Sequence, residues 1–254
     1  MIPYYPVSSI DLGFIKLHVW GIFAAIGFLV AIYTAARQAR RKGLDPEVVY
    51  DVAPWIIIGS IIGARLVFIL ENPSAVESAL DIIAVWNGGL AFHGGFFGAI
   101  VAFLVYTQRR KLNFWKYADA IAPSIALGHA VGRIGCLATG LHIGKEANVP
   151  WAFLHDGVPR HPTPLYEILG LVPLFFFLRW LSFRKVSRSF DGFIFAAYVA
   201  LYSALRFFVE FYRTDPAYYL GLTAAQFIVI GLFVASLGVM IYNLLGKNKL
   251  FVAG

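Results

Sequence analysis

The chain is poor in charge and in sulfur. Charged residues make up 14% of its 254 positions, and Cys136 is the single cysteine. One cysteine excludes an internal disulfide and carries no information about redox compartment. So few charges exclude an ordinary soluble domain, where about a quarter of residues are charged. Acids are the scarcer sign: 14 Asp and Glu face 21 Lys and Arg, for a formal net charge of +7. The basic n-region of a cleavable signal peptide is also missing, because Met1–Leu17 has Tyr, Pro and Asp in its place. The first hydrophobic segment is therefore expected to stay in the membrane. Neither metal nor cofactor is implied: the histidines and acids lack ligand spacing such as His-x3-His, and no Gly-rich phosphate cradle occurs.

What is present is apolar surface. Hydrophobic residues reach 59% and the mean hydropathy is +0.72. Runs long enough to span about 30 Å of hydrocarbon lie at His18–Ala36, Ala53–Leu70, Gly89–Tyr106, Ala118–Leu137, Pro164–Leu181, Gly192–Phe211 and Leu222–Leu245. Basic residues cluster in alternate connections: Arg37, Arg40, Arg41 and Lys42; Arg109, Arg110, Lys111 and Lys116; Arg179, Arg184, Lys185 and Arg188; then Lys247 and Lys249. The positive-inside rule then puts the N-terminus outside and the C-terminus in the cytoplasm. The expected fold is an all-α integral membrane protein with seven transmembrane helices, forming a single polytopic domain over residues 1–254. A basic inner face meeting anionic lipid accounts for these charges, and no nucleic-acid role is needed.

Two longer connections are expected outside, Glu71–Gly88 and Gly140–Thr163, forming a small extracytoplasmic cap. Val76, Leu80, Ile83 and Trp86 in the first predict an amphipathic helix on the membrane surface. The second, with Pro150, Trp151, His155, Gly157 and His161, has the length of a lid or binding loop. A weak internal echo is also visible. Asp51 and Asp119 each open an Ala-Pro helix start, and each precedes an arginine by fourteen residues, which fits a duplication, chance or shared helix-entry chemistry.

The basic residues left over fall inside or beside apolar runs. An intramembrane ionisable group is costly and is usually retained for a substrate, an ion or a partner. At ~1.5 Å per residue, Arg133 lies ~22 Å, Arg206 ~21 Å, Arg65 ~18 Å and His93 ~24 Å from the inner edge. Tyr166 and Glu167 lie just below the outer edge, so all of these share the outer-leaflet third. Arg206, Glu210 and Arg213 at i, i+4 and i+7 share one helix face. One reading is an ion-pair network that locks two helices. The other starts from charge: Glu210 balances one arginine, and Arg133 with Arg65 leaves a positive surplus suited to phosphate, whose oxygens match guanidinium forks. His93 is flanked by Gly88, Gly89, Gly94, Gly95 and Gly98, which serve either close helix packing or access of the imidazole to a substrate for proton transfer. His129 and His18 lack such context and read as structural. Cys136 reads as a small buried residue.

Four motifs in order resemble bacterial prolipoprotein diacylglyceryl transferase: Phe92-His93-Gly94-Gly95; Gly132-Arg133-Ile134-Gly135 with Gly144-Lys145; His161-Pro162-Thr163-Pro164-Leu165-Tyr166-Glu167; and Arg206-Phe-Phe-Val-Glu210-Phe-Tyr-Arg213. Leu222-Thr223 with Gln226 fits the family's last-helix entry. The resemblance implies transfer of the diacylglyceryl group of phosphatidylglycerol to the lipobox cysteine thiol of a prolipoprotein signal peptide, releasing glycerol 1-phosphate. It implies a multi-pass protein of the bacterial cytoplasmic membrane, among membrane lipids, with its active site towards the outer leaflet. Arg133 would bind the phosphate, Arg206 would be the second essential arginine, and His93 the base or its orienter. Arg65, Tyr166, Glu167, Glu210 and Arg213 complete the expected substrate contacts. The chain departs from the pattern at Gly135-Cys136-Leu137, where Gly-Asn-Phe and then a glutamate are usual, and at Pro164, where Gln is usual. The alternatives are a paralogue that binds or moves anionic phospholipid without chemistry, or one that serves a different acceptor.

Overall fold

The computed structural model describes residues 1–13, 16–75, 78–85 and 88–246. Among the described residues eight α-helices run in order: α1 Val19–Arg41, α2 Glu47–Glu71, α3 Ala79–Ile83, α4 Phe92–Arg109, α5 Phe114–Thr139, α6 Thr163–Leu181, α7 Phe193–Glu210 and α8 Ala224–Leu245. Six of them (α1, α2, α5, α6, α7 and α8) are long and apolar enough to cross a membrane. The third expected span, Gly89–Tyr106, forms α4. Its 18 residues include His93, Gln108 and Arg109 and three glycines, and it is not among the six. The chain divides into two compact units, residues 39–117 and residues 1–38 with 118–254.

In the 39–117 unit, α2 packs on α4 through glycines. A Cβ on Gly98 would lie 2.1 Å from the Gly59 carbonyl oxygen, and one on Gly94 2.2 Å from that of Gly63. Small residues let helix backbones approach this closely, so Gly94 and Gly98 serve packing. The amphipathic helix expected between Glu71 and Gly88 is only α3, opened by a Ser78–Asp81 capping box. Leu80 and Ile83 are exposed on it; Val76 and Trp86 lie outside the described residues, as do Lys247 and Lys249.

In the other unit, Ala122, Ala126 and Ala130 of α5 form a small-residue face. It packs against Leu171, Leu174, Phe175 and Leu178 of α6 and Phe193, Ile194 and Ala197 of α7. Gly27 of α1 meets Gly128 of α5 so closely that a Cβ on either would lie 2.7 Å from the other's carbonyl oxygen. Asp119 of α5 caps α7 by accepting from Gly192 N at 3.0 Å and Phe195 N at 2.9 Å. Thr223 and Gln226 form a capping box at the start of α8. The prolines expected at helix starts, Pro54 and Pro123, instead sit inside α2 and α5, because both helices begin about two turns earlier.

Short strands decorate this unit. β1 (Ile2–Pro3) pairs in parallel with β4 (Phe153–His155), which pairs antiparallel with β5 (Val158–Arg160). Positive φ at Asp156 and Gly157 makes the tight hairpin turn that Asp-Gly favours. The Gly140–Thr163 connection thus contains a hairpin over Phe153–Arg160. β2 (Ser9–Asp11) with β3 (Lys16–His18), and β6 (Ala217–Tyr219) with β7 (Leu222–Thr223), are two further antiparallel pairs.

Candidate active site

Helical spacing puts His129, Arg133 and Cys136 of α5 on one face, at i, i+4 and i+7. Arg206 and Glu210 of α7 stand one turn apart, and Glu167 comes from the second turn of α6. These groups meet. Arg133 Nε lies 2.8 Å from Glu167 Oε2, and Arg206 Nη1 3.4 Å from Glu167 Oε1. Arg206 Nη2 lies 2.7 Å from Glu210 Oε2, and Arg213 Nε 3.4 Å from the same oxygen. Arg213 Nε also donates to Asp215 Oδ2 at 2.7 Å. The result is a ladder of alternating charge, Arg133–Glu167–Arg206–Glu210–Arg213–Asp215. Thr223 Oγ1 donates to Glu210 Oε1 at 2.9 Å, so the capping residue of α8 also fixes the ladder.

Burial sets the value of these pairs. Glu167 and Glu210 side chains are 1% exposed and those of Arg133 and Arg206 14%. Removing one partner of such a pair strands a buried charge and typically costs 3–5 kcal/mol. The three arginines face three carboxylates, so the positive surplus expected from sequence is absent from this group. What the ladder offers instead is donors held beside exchangeable partners: Arg133 meets Glu167 and His129 through Nε, apart from its Nη pair, and Nη1 lies 3.8 Å from Cys136 Sγ. Arg213 Nη1 is buried with no hydrogen-bond partner among the described residues.

Arg65 is placed differently. In the 39–117 unit its Nε donates to Ile82 O at 3.2 Å, Nη1 to Gly88 O at 2.8 Å and Gly89 O at 3.0 Å, and Nη2 to Asp81 O. Phe68 packs beneath the guanidinium, 5.3 Å from its ring centroid. Positive φ at Gly88 and Gly89 turns their carbonyls to Arg65. Arg65, expected at the headgroup, thus has its guanidinium engaged with backbone carbonyls. His93 is the second residue of α4, exposed, in that same unit.

Tyr166 belongs to an aromatic group beside the ladder. Trp151 Nε1 donates to its hydroxyl at 2.9 Å, and His161 Nδ1 lies 2.9 Å from the same oxygen. Burial pushes the His161 imidazole below its ordinary pKa, which suits a neutral ring accepting the Tyr166 hydroxyl proton. Tyr212 packs on both rings, with centroids 4.8 Å from His161 and 5.7 Å from Tyr166. Tyr166 is thus tied to the Gly140–Thr163 connection, while its neighbour Glu167 is the hub of the ladder.

Sequence reading missed three residues. His129 accepts from Arg133 Nε at 3.2 Å; its i−4 spacing from Arg133 was the available signal. Asp215 follows Arg213 by two residues. Burial raises its carboxyl pKa, but the hydrogen bond and charge of Arg213 outweigh that and leave it lowered. His142 follows α5 with a positive φ of 62°. Burial, then the charges of Arg133, Arg213 and Arg206, lower its pKa to about 4, so it is neutral at pH 7.

The family model for prolipoprotein diacylglyceryl transferase matches residues 7–242. The chain belongs to the prolipoprotein diacylglyceryl transferase family. A phosphatidylglycerol–prolipoprotein diacylglyceryl transferase of Thermosynechococcus vestitus is 35% identical over 92% of this chain and 90% of its own. Relatives of the same name in Geobacter sulfurreducens (36% identical, 85% of each chain) and Finegoldia magna (34%, 85% of this chain and 87% of its own) are similar along comparable lengths. Within this family, the match spans both units and every residue of the ladder.

Proposed function

We propose that this chain transfers the diacylglyceryl group of phosphatidylglycerol to the lipobox cysteine thiol of a prolipoprotein signal peptide, releasing glycerol 1-phosphate. The observation that carries the reading is the buried arginine ladder, in a chain whose relatives are named for this lipid and this acceptor. Those relatives favour the transferase over a lipid-binding paralogue.

The thiol sulfur attacks the glycerol carbon that bears the phosphate. A C–S bond forms, the C–O bond breaks, and its electron pair stays on the phosphate oxygen. The leaving phosphate gains one negative charge. Arg133 through its Nη pair, and Arg206, stabilise that charge where little water screens it, while the buried Nη1 of Arg213 adds a donor. Glu167 and Glu210 preset the guanidinium planes and then share them with phosphate. A thiol of pKa about 8.5 is mostly protonated at pH 7, so its proton passes to a base. His93 is our candidate; Glu167, Glu210 or water are the others.

The topology proposed with this chemistry has seven spans, α4 being the third, the N-terminus outside and the site towards the outer leaflet of the bacterial cytoplasmic membrane. Alternating basic connections support it. The test is incubation of the purified protein with phosphatidylglycerol vesicles and a lipobox peptide. A diacylglyceryl mass gain on the peptide cysteine, matched by glycerol phosphate, is the expected result. Binding of the lipid with neither product would leave only a lipid-binding protein.

A further inference from the structure

His129 lies one turn before Arg133 on α5 and touches both charge signs of the ladder. Its Nε2 is 3.2 Å from Arg133 Nε and 3.8 Å from Glu167 Oε2. Its ring packs edge-on to Tyr202, with centroids 5.4 Å apart at 60°. A guanidinium is always protonated, so Arg133 Nε–H is the donor and His129 Nε2 must present a lone pair. The ring proton is then on Nδ1 and the imidazole is neutral. With that lone pair occupied, His129 is not arranged as a base.

Arg133 Nε also lies 2.8 Å from Glu167 Oε2 as an ion pair, an oxygen with no hydrogen-bond partner among the described residues. One hydrogen-bond acceptor from α5 and one carboxylate charge from α6 thus hold the Nε edge of Arg133, which fixes the plane and rotation of the guanidinium. The Nη edge is directed by default. A neutral acceptor suits this position. A second carboxylate would weaken the attraction for phosphate, and a cation would repel Arg133.

We propose that His129 is a positioning residue, aiming the Nη edge of Arg133 at the lipid phosphate by accepting its Nε–H. The inference rests on Arg133 being the phosphate contact. Misplacing a catalytic group by about 1 Å costs on the order of 10² in rate, so His129→Leu, which keeps bulk and loses the acceptor, should lower kcat about that much. KM for phosphatidylglycerol should move less, because the developing charge gains most from the aim. His129→Gln places an amide oxygen near the Nε2 position and should restore turnover to within several-fold of the parent. His129→Asn reaches only the Nδ1 position and should behave like Leu.

All three variants are assayed with phosphatidylglycerol vesicles and a lipobox peptide, beside the parent and Arg133→Ala, on monodisperse protein of matched thermal midpoint. Rescue by Gln but not by Asn supports the proposal, and that pair decides it even if the Leu variant does not fold. Parent-like turnover in Leu or Asn, or equal loss in Gln and Asn, overturns it. An active Arg133→Ala would instead overturn the assignment of Arg133.

Discussion

Arg65 and Arg133 occupy matching places in sequence, each fourteen residues after an aspartate and each past an Ala-Pro pair. Their surroundings have nothing in common. Arg65 spends its N–H groups on the carbonyls of Asp81, Ile82, Gly88 and Gly89. Arg133 meets side chains: Glu167, His129 and the Cys136 thiol. Backbone carbonyls cannot leave without unfolding their segment, whereas a carboxylate can swing aside for a phosphate. The one arginine is a clamp, the other the phosphate contact we propose. Their aspartates diverge as well: Asp119 caps α7, while Asp51 faces Tyr106 and Arg110.

The contrast breaks most readily at Arg133. Arg133→Ala should cut turnover by about 10²–10³, the loss seen on removing one donor to a developing charge, and Arg133→Lys should recover little because the planar fork is gone. Turnover near the parent value in both variants would erase the distinction. Arg65→Met should act on stability instead. Leaving several part-buried carbonyls unpaired costs about 3 kcal/mol, or roughly 10 °C in the thermal midpoint of the detergent-solubilised protein, with turnover per folded molecule nearly kept. A loss of turnover at unchanged midpoint would return Arg65 to the headgroup.

A smaller effect tests the glycines that hold α4 on α2. Gly98→Ala puts a methyl 2.1 Å from the Gly59 oxygen and should destabilise by about 1–3 kcal/mol. Gly132→Ala, next to Arg133 with nothing within 4 Å of the new Cβ, should be neutral or stabilising by about 0.5–1 kcal/mol. Matched thermal midpoints would show that close packing is not what Gly98 provides.

The smallest effect concerns His142. Its pKa falls from 6.5 to about 4 on folding, so between those values the unfolded chain binds more protons than the folded one. Stability then falls as pH drops from 6.5 towards 4. His142→Gln should flatten that fall by less than about 1 kcal/mol, since the ring is partly solvated and screened. Thermal midpoints at pH 7 and pH 5 read it, and identical slopes for parent and variant would remove His142 from the influence of the arginines.

Much of the site was legible before the fold. Arg206 and Glu210 declare a shared face by spacing alone, and the Gly-Arg-Ile-Gly motif singles out Arg133; Arg213, expected on that face, instead lies three residues past the end of α7 and reaches Glu210 from the turn that follows. Glu167 could be named but not placed, because its partners sit on α5 and α7, far away in sequence. Asp215 and His129 were missed although their partners Arg213 and Arg133 lie only two and four residues away, because the ion-pair chain that gives those local contacts a role is joined through Glu167 of another helix. The short strands were also missed, since two or three residues carry no periodicity to read.

Sequence by itself determined the membrane character, the apolar runs, the family and its chemistry. Each depends on local composition or on residue order, and neither requires the chain to fold back on itself. Tertiary structure decided the charge balance. Only packing could show that three arginines are matched by three carboxylates and that Arg65 is consumed by backbone. Electrostatic pairing depends on distance through space, and the packing of α5 with α6 brings Arg133 and Glu167, 34 positions apart, to 2.8 Å.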